Sequence, residues 1–431
     1  MARKPVTIER PSVLTRRRFQ FAGALAVGAV VPLALRILLP TTPVLEAATV
    51  NAFIANIAAV LIAFWMRLSI ETYPGIRRSA VILPAALTGH GLTLVWFVMT
   101  RFPYDRVGLT LGFLLHVLWL YLVYVYGERA VRRRFAVVPF GRIDQLGEVD
   151  SVDWMKLRRP SLADAKRCNA IVADFSADLP DEWEAFLADA ALDGRIVYQV
   201  KQLSESLTGR VELDHLSDNS FGSLLPARGY FYLKTAIDFL AALLLLPFLL
   251  PVMAIAAFAI FLADGRPMVF RQRRLGHAGR TFTAFKFRTM AVDDPTAPPA
   301  DQASERHALA TDDDDPRVTR VGAILRKYRI DELPQIFNIL MGQMSWIGPR
   351  PEPEILTRWW TAEIPYYRYR HVVKPGISGW AQVNLGYVTG VDGINRKLQY
   401  DFYYIKYFSP WLDMLILFRT VKTMLSGFGA K

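Results

Sequence analysis

"FYLKTAIDFLAALLLLPFLLPVMAIAAFAIFL", from Phe231 to Leu262, decides on which side of a membrane the rest of the chain lies. A helix crosses a bilayer with about 20 apolar residues, so this run is long enough. Pro247 and Pro251 stand near its middle, and each removes a backbone donor and bends a helix. Arg228 and Lys234 flank one end; Arg266, Arg271, Arg273 and Arg274 flank the other. An ordinary kinked span would carry one of these clusters across the membrane. A broken helix over about residues 231–262, dipping into one leaflet and returning, keeps both in the cytoplasm. The charge pattern favours re-entry, because Lys and Arg are retained on the cytoplasmic side.

Upstream lie four more apolar runs, about Phe19–Leu39, Ala47–Met66, Ala80–Thr100 and Val107–Tyr126. The first is too long for a cleaved signal peptide, and more spans follow it. Arg16, Arg17 and Arg18 precede the first run, Arg67, Arg77 and Arg78 separate the second and third, and Arg129, Arg132, Arg133 and Arg134 follow the fourth. The positive-inside rule therefore places both ends of a four-helix transmembrane bundle, residues 1–134, in the cytoplasm. His90 and His116 fall inside these runs, and they are expected as uncharged partners hydrogen-bonded between helices.

Residues 135–226 read as a small Rossmann-like cytoplasmic domain. "FAVVPFG", "CNAIVADF" and "RIVYQV" have the character of buried strands, and "DEWEAFLADAAL" that of a helix ended by Gly194. No GxGxxG fingerprint follows the first strand, so a structural or regulatory domain without bound nucleotide is expected. Residues 227–431 then form an α-rich catalytic domain around the re-entrant helix, and the whole is a membrane α/β protein. Near its end, "LQYDFYYIKYFSPWLDMLILFRTVKTML" mixes Asp413, Arg419 and Lys422 with apolar positions. That pattern suits a helix lying in the membrane interface, and equally one packed in a protein core.

Composition narrows the function. The chain is 52% hydrophobic with a formal net charge of +12, and in a membrane protein that excess belongs beside anionic lipid. No basic stretch is interleaved with stacking aromatics, so nucleic acid is not an expected partner. Cys168 is the only cysteine, which rules out an intramolecular disulfide or a zinc ribbon. The six histidines show no close ligand spacing.

The chemistry gathers in "YRIDELPQIFNILMGQMSWIGPRPEPE", Tyr328 to Glu354. Taken alone, "DELP" is a helix start with Asp331 as N-cap and Pro334 in the first turn. A helix N-terminus also favours an ionised carboxylate, which a nucleophilic aspartate requires. Glu332 beside it suits a hard cation such as Mg2+. Lys286 and Arg288 of "FKFRTM", with Arg326 and Arg350, supply donors that match the oxygens of a diphosphate. "TDDDDPR", containing Asp312 to Asp315, is a solvated loop or the metal motif of a simple inverting glycosyl transferase. A membrane scaffold without catalysis is the reading in which Asp331 does nothing beyond capping.

"FKFRTM", "RIDELPQIFNILMGQMSWIGPRPE", "VKPGISGWAQVN" and "YDFYYIKYFSPWLDMLIL" occur in this order. Together they resemble the bacterial sugar transferase family, the monotopic polyprenyl-phosphate phosphoglycosyl transferases, over about Tyr230 to the C-terminus. The four spans and the small α/β domain look like the large subclass that starts exopolysaccharide or O-antigen repeat units at the bacterial inner membrane. The resemblance implies that Asp331 attacks the β-phosphate of a UDP-sugar and releases UMP. The phosphosugar then passes to undecaprenyl phosphate. It implies Mg2+ at Glu332 and Asp331, phosphate contacts from Arg326 and Arg350, and a nucleotide end shaped by Trp380, Gln382 and Asn384. Glucose or galactose 1-phosphate is the expected cargo. The family's helix breaks at a Ser-Pro pair, whereas here Leu250 precedes Pro251. The bundle and the soluble domain offer surfaces on which a homodimer could form.

Overall fold

The computed structural model describes residues 13–38, 46–70, 79–128, 133–147, 152–211, 226–291, 317–385, 388 and 390–426. The chain divides into two compact units, Met1–Thr208 and Gly209–Lys431. Asp312 to Asp315 lie outside the described residues.

Among the described residues the first unit holds four helices long and apolar enough to cross a membrane, Arg17–Leu38, Ala47–Ser69, Val81–Thr100 and Arg106–Gly127. Small residues let them pack closely. Ala59, Ala63, Ala85 and Ala86 are fully buried, and a Cβ on Gly89 would stand 2.3 Å from the Ala59 carbonyl. Asp105 caps the fourth helix through the Val107 amide at 3.0 Å and pairs with Arg36 at 2.6 Å. His90 Nε2 lies 3.3 Å from His116 Nδ1, a histidine pair between helices as the sequence suggests.

After these helices comes a parallel sheet of four strands: β1 (Arg133–Val137), β2 (Val152–Lys156), β3 (Ala170–Ala173) and β4 (Val197–Gln199), in the order β2-β1-β3-β4. Helix Asp181–Leu192 buries Trp183, Phe186, Leu187 and Ala190 against β1 and β3. The sequence reading missed β2, because "VDWMK" exposes polar residues and gives no apolar run. Ligands of such sheets sit beyond the strand C-termini, where the order reverses. Here Asp174, directly after β3, fills that place. It accepts hydrogen bonds from the Arg142 and Ser176 amides at 2.8 and 3.1 Å and from Gln199 at 3.2 Å. Gly141 is required beside it: φ is +77°, and a Cβ would lie 2.4 Å from the Asp174 carboxylate.

The second unit is built on one helix, Arg228–Asp264, of 37 residues, about 55 Å long at 1.5 Å per residue. Its backbone stays helical across Pro247 and Pro251, so the expected break in the helix is not present. Residues on both sides of the prolines are packed: Leu246, Leu249 and Met253 join the same core cluster as Ile336, Ile339 and Met344. That packing holds the backbone where two donors are missing. One stripe, Lys234, Asp238, Ala242, Met253, Ala256 and Ile260, is buried along the whole length. The other faces expose Leu240, Leu244, Phe248, Ile255, Phe258 and Leu262. Both ends are held by the same unit. Lys234 pairs with Asp413 at 2.9 Å, and Arg288 donates to the carbonyls of Asp264 and Gly265 at 2.5 and 3.1 Å.

β5 (Val269–Leu275) and β6 (Thr281–Phe287) form an antiparallel hairpin, and β7 (Ser345–Ile347) pairs in parallel with β8 (Gly376–Ser378). The C-terminal aromatics are core rather than interface: Phe402, Tyr403 and Tyr404 are buried. The last helix, Pro410–Ser426, buries Leu412, Leu415 and Ile416 and leaves Leu417 and Val421 exposed.

Candidate active site

Helix Arg320–Lys327 is capped by Thr319, whose hydroxyl accepts from the Gly322 amide at 3.0 Å. Gly322 lets this helix touch the strand end, since a Cβ there would lie 2.1 Å from the Thr289 carbonyl. The chain then reverses at Arg329, which takes left-handed backbone angles (φ 56°, ψ 23°), and enters a 3-10 turn, Ile330–Gln335. Asp331 is therefore inside a turn and is not an N-cap; no side chain caps this element. Asn338, wholly buried, stitches the turn's continuation to β6. Its amide donates to the Thr283 carbonyl at 2.8 Å, and its oxygen accepts from the Phe285 amide at 3.2 Å. That register brings Lys286 of β6 under the carboxylates.

Glu332 is the electrostatic hub. Lys286 Nζ lies 2.9 Å and an Arg350 nitrogen 2.5 Å from its Oε1, and Arg329 stands 3.7 Å from Oε2. Burial opposes its ionisation, yet Arg350, Lys286 and Arg329 hold its carboxyl well below the usual range. Asp331 is different. Burial first, and then the charge of Glu332, push its pKa above the ordinary aspartate value, against the pull of Lys286, Arg350 and Arg329. Asp331 and Glu332 both lie in the first turn of this short helix, but burial outweighs what that position offers Asp331. Among the described residues nothing donates a hydrogen bond to Asp331, so its lone pairs are uncommitted. Three cations face two carboxylates here, a surplus that suits an anionic ligand.

The site gathers Asp331, Glu332, Lys286 and Arg350 as the sequence indicates, and it adds Arg329. Other candidates go elsewhere. Arg288 caps the long helix, as described above. Arg326 donates to the Thr289 hydroxyl at 2.9 Å. Trp380 is buried, donates to the Gly209 carbonyl at 2.8 Å and stacks on Tyr403. Asn384 donates to the Trp380 carbonyl at 2.7 Å and accepts from Arg419, and Gln382 donates to the Ile377 carbonyl at 3.2 Å. Gln382 and Asn384 thus brace their own loop, whereas Trp380 ties it to Gly209. Sequence reading missed Arg329, Asn338, Arg274 and Arg370. Arg329 and Asn338 stand inside the quoted motif but carried no role of their own there; Arg274 and Arg370 are single residues without periodic signal.

A preformed metal cage is not found: among the described residues no three His, Cys, Asp or Glu side chains cluster as ligands. Mg2+ does not require one, since it commonly takes one or two carboxylates plus substrate phosphates. The uncommitted Asp331 carboxylate and Oε2 of Glu332 form a donor set of that kind.

Residues 229–427 match the family model described as Bacterial sugar transferase. A curated relative from Aeromonas hydrophila, UDP-N-acetylgalactosamine-undecaprenyl-phosphate N-acetylgalactosaminephosphotransferase, is 43% identical over 388 residues, 90% of this chain and 89% of that protein. The chain belongs to the bacterial sugar transferase family. UDP-glucose:undecaprenyl-phosphate glucose-1-phosphate transferases from Xanthomonas campestris pv. campestris and Escherichia coli are 40% and 38% identical. Those matches cover 46% and 44% of this chain, and 40% and 39% of the relatives. As a member of this family the chain is a membrane-associated phosphotransferase, and the carboxylate site lies inside the matched residues.

One consequence is measurable in pH. Burial, with Arg350 and Arg274 nearby, pushes the Lys286 ammonium down to about 8 although Glu332 opposes it. The cation is present below that pH and lost above it. The kcat/KM for an anionic donor, which reports the free enzyme, should fall through an alkaline limb near pH 8. In Lys286→Arg that limb should move up by more than one pH unit, because a guanidinium stays protonated. An unmoved limb would assign it to another group.

Proposed function

We propose that this enzyme transfers a sugar 1-phosphate from a UDP-sugar to undecaprenyl phosphate, starting exopolysaccharide or O-antigen repeat units. The supporting observation is the division of labour between adjacent carboxylates: Glu332 is met by three cations, whereas among the described residues Asp331 accepts no hydrogen bond. An Asp331 oxygen attacks the β-phosphorus of the donor. The bond from that phosphorus to the bridging oxygen breaks, and UMP departs with the oxygen. A phosphate oxygen of the lipid acceptor then attacks the same phosphorus, forming the diphosphate and freeing Asp331. Lys286, Arg329 and Arg350 hold the phosphoryl oxygens through both steps. Mg2+, when bound at Glu332 and Asp331, supplies further neutralisation of the diphosphate.

We read residues 1–134 as a four-helix membrane bundle, 135–226 as a Rossmann-like cytoplasmic domain and 227–431 as the catalytic domain. The long helix touches one globular unit at both ends and along its middle, which fits a helix embedded from one face better than a span. The catalytic domain would then sit on the cytoplasmic side of the inner membrane, with its site at headgroup depth. The relative matching across both units is named for N-acetylgalactosamine, whereas the glucose enzymes match less than half of this chain. UDP-N-acetylgalactosamine is therefore the first donor to test, ahead of UDP-glucose and UDP-galactose. Inverted membrane vesicles with undecaprenyl phosphate and Mg2+ should release UMP from one of these donors without permeabilisation. Release of UDP, or activity confined to right-side-out vesicles, would overturn the reaction or the orientation respectively.

A further inference from the structure

Arg350 lies in a strap, Gly348–Glu352, that belongs to no helix or strand. Three successive residues of this strap are nevertheless fixed from behind. Arg370 donates to the Arg350 carbonyl at 2.8 Å. Arg274 donates to the Pro351 carbonyl. Glu352 is paired with Lys397 and stands 3.9 Å from Arg370. The Arg370 Nη2 that donates to the Arg350 carbonyl also lies 2.8 Å from Asp401 in an ion pair. Nη1 donates to the Tyr367 hydroxyl at 2.7 Å, while Nε has no hydrogen-bond partner among the described residues. Arg370 is 3% and Asp401 1% exposed, and the polar contacts of Arg370 go to the strap, Tyr367 and Asp401.

Burying such a pair gains little stability, because desolvation offsets the attraction. Its position suggests another use. Pro349 and Pro351 bracket Arg350 and restrict the strap's torsions. With the intervening carbonyl fixed as well, the base of the Arg350 side chain has one place to start from. Its guanidinium then meets Glu332 at 2.5 Å.

We propose that Arg370 is a positioning residue, which aims Arg350 at the transferred phosphoryl group by holding the Arg350 carbonyl while Asp401 and Tyr367 hold Arg370. This rests on the proposed function, since it assigns Arg350 to phosphoryl contact. A lysine cannot replace the fork, because one ammonium does not reproduce the planar set of donors.

The test is a double-mutant cycle on donor kcat/KM with Arg350→Lys, Arg370→Lys and the double variant, alongside melting temperatures. Each single variant should lose about tenfold or more, the scale on which displaced positioning groups act. Both should divide the loss between kcat and KM in the same way. The double variant should fall within about threefold of the poorer single, because both substitutions disable one device. Losses that multiply, or an Arg370→Lys enzyme with unchanged kcat/KM, overturn the positioning role. If Arg370→Lys does not fold, Asp401→Asn, which keeps an acceptor oxygen for Arg370, takes its place with the same required non-additivity. Wild-type UMP release is measured in parallel: its absence with every donor overturns the proposed function, whereas a multiplicative cycle in an active enzyme overturns only the role of Arg370.

Discussion

Asp331→Asn is expected to abolish UMP release, by about 10³-fold or more, the scale of removing a covalent nucleophile. An amide of the same shape cannot attack phosphorus. Wild-type enzyme given donor and Mg2+ without acceptor should release a burst of UMP no larger than one per site. Intact-protein mass spectrometry should then show one added phosphosugar, absent from Asp331→Asn. Stability should not suffer: Asp331 caps nothing, and its charge raises the cost of ionising the buried site beside Glu332. The melting temperature of the variant should therefore equal or exceed that of the wild type. Ionised Asp331 is the reactive form and its pKa is raised, so activity should decline on acidification at a pH above the usual aspartate range. A variant retaining near wild-type turnover would remove Asp331 from the chemistry. A wild type with no burst and no adduct would make it a base or a ligand instead.

The second large effect concerns folding. Lys234 Nζ lies 2.9 Å from Asp413 and 3.5 Å from Asp238, and all three residues are buried. Tyr230 and Tyr404 donate to Asp413 at 2.5 and 2.8 Å, and Ser345 donates to Asp238 at 2.6 Å. Hydroxyls share the negative charge; Lys234 forms the ion pairs with both carboxylates, and the charge of Lys374 acts on Asp238 from further away. Lys234→Met should therefore destabilise the catalytic unit by about 3–5 kcal/mol, the cost of leaving buried charge unpaired. That would lower the melting temperature of detergent-solubilised protein by roughly 6 °C or more. Arg358→Met, which breaks an ion pair whose arginine side chain is 76% exposed, should change it little. Equal effects from the two variants would show that the buried cluster does not anchor the helix.

Local pattern carried much of this protein. The apolar runs are visible because bilayer thickness sets a length that few soluble helices reach, and they reappear as helices within a few residues of their expected limits. "DEWEAFLADAAL" became helix Asp181–Leu192, ended at Gly194 with φ +76°, because a left-handed stop favours glycine. Asp331, Glu332, Lys286 and Arg350 could be grouped from ordered motifs alone. Tertiary structure decided what their environments are. Asp331 follows a left-handed Arg329 and sits in a buried 3-10 turn, so its carboxyl is raised rather than favoured by a cap; no sequence rule reports that burial. Trp380 turned inward to the Gly209 carbonyl, and Gln382 and Asn384 donate to carbonyls close by in the chain. Pro247 and Pro251 looked like a break, yet packing from a distant core keeps the helix continuous through them. Lys234 looked like a flanking charge and proved to be the buried partner of Asp413, 179 positions along the chain. Such pairings are set by the desolvation of charges that meet only when the chain has folded.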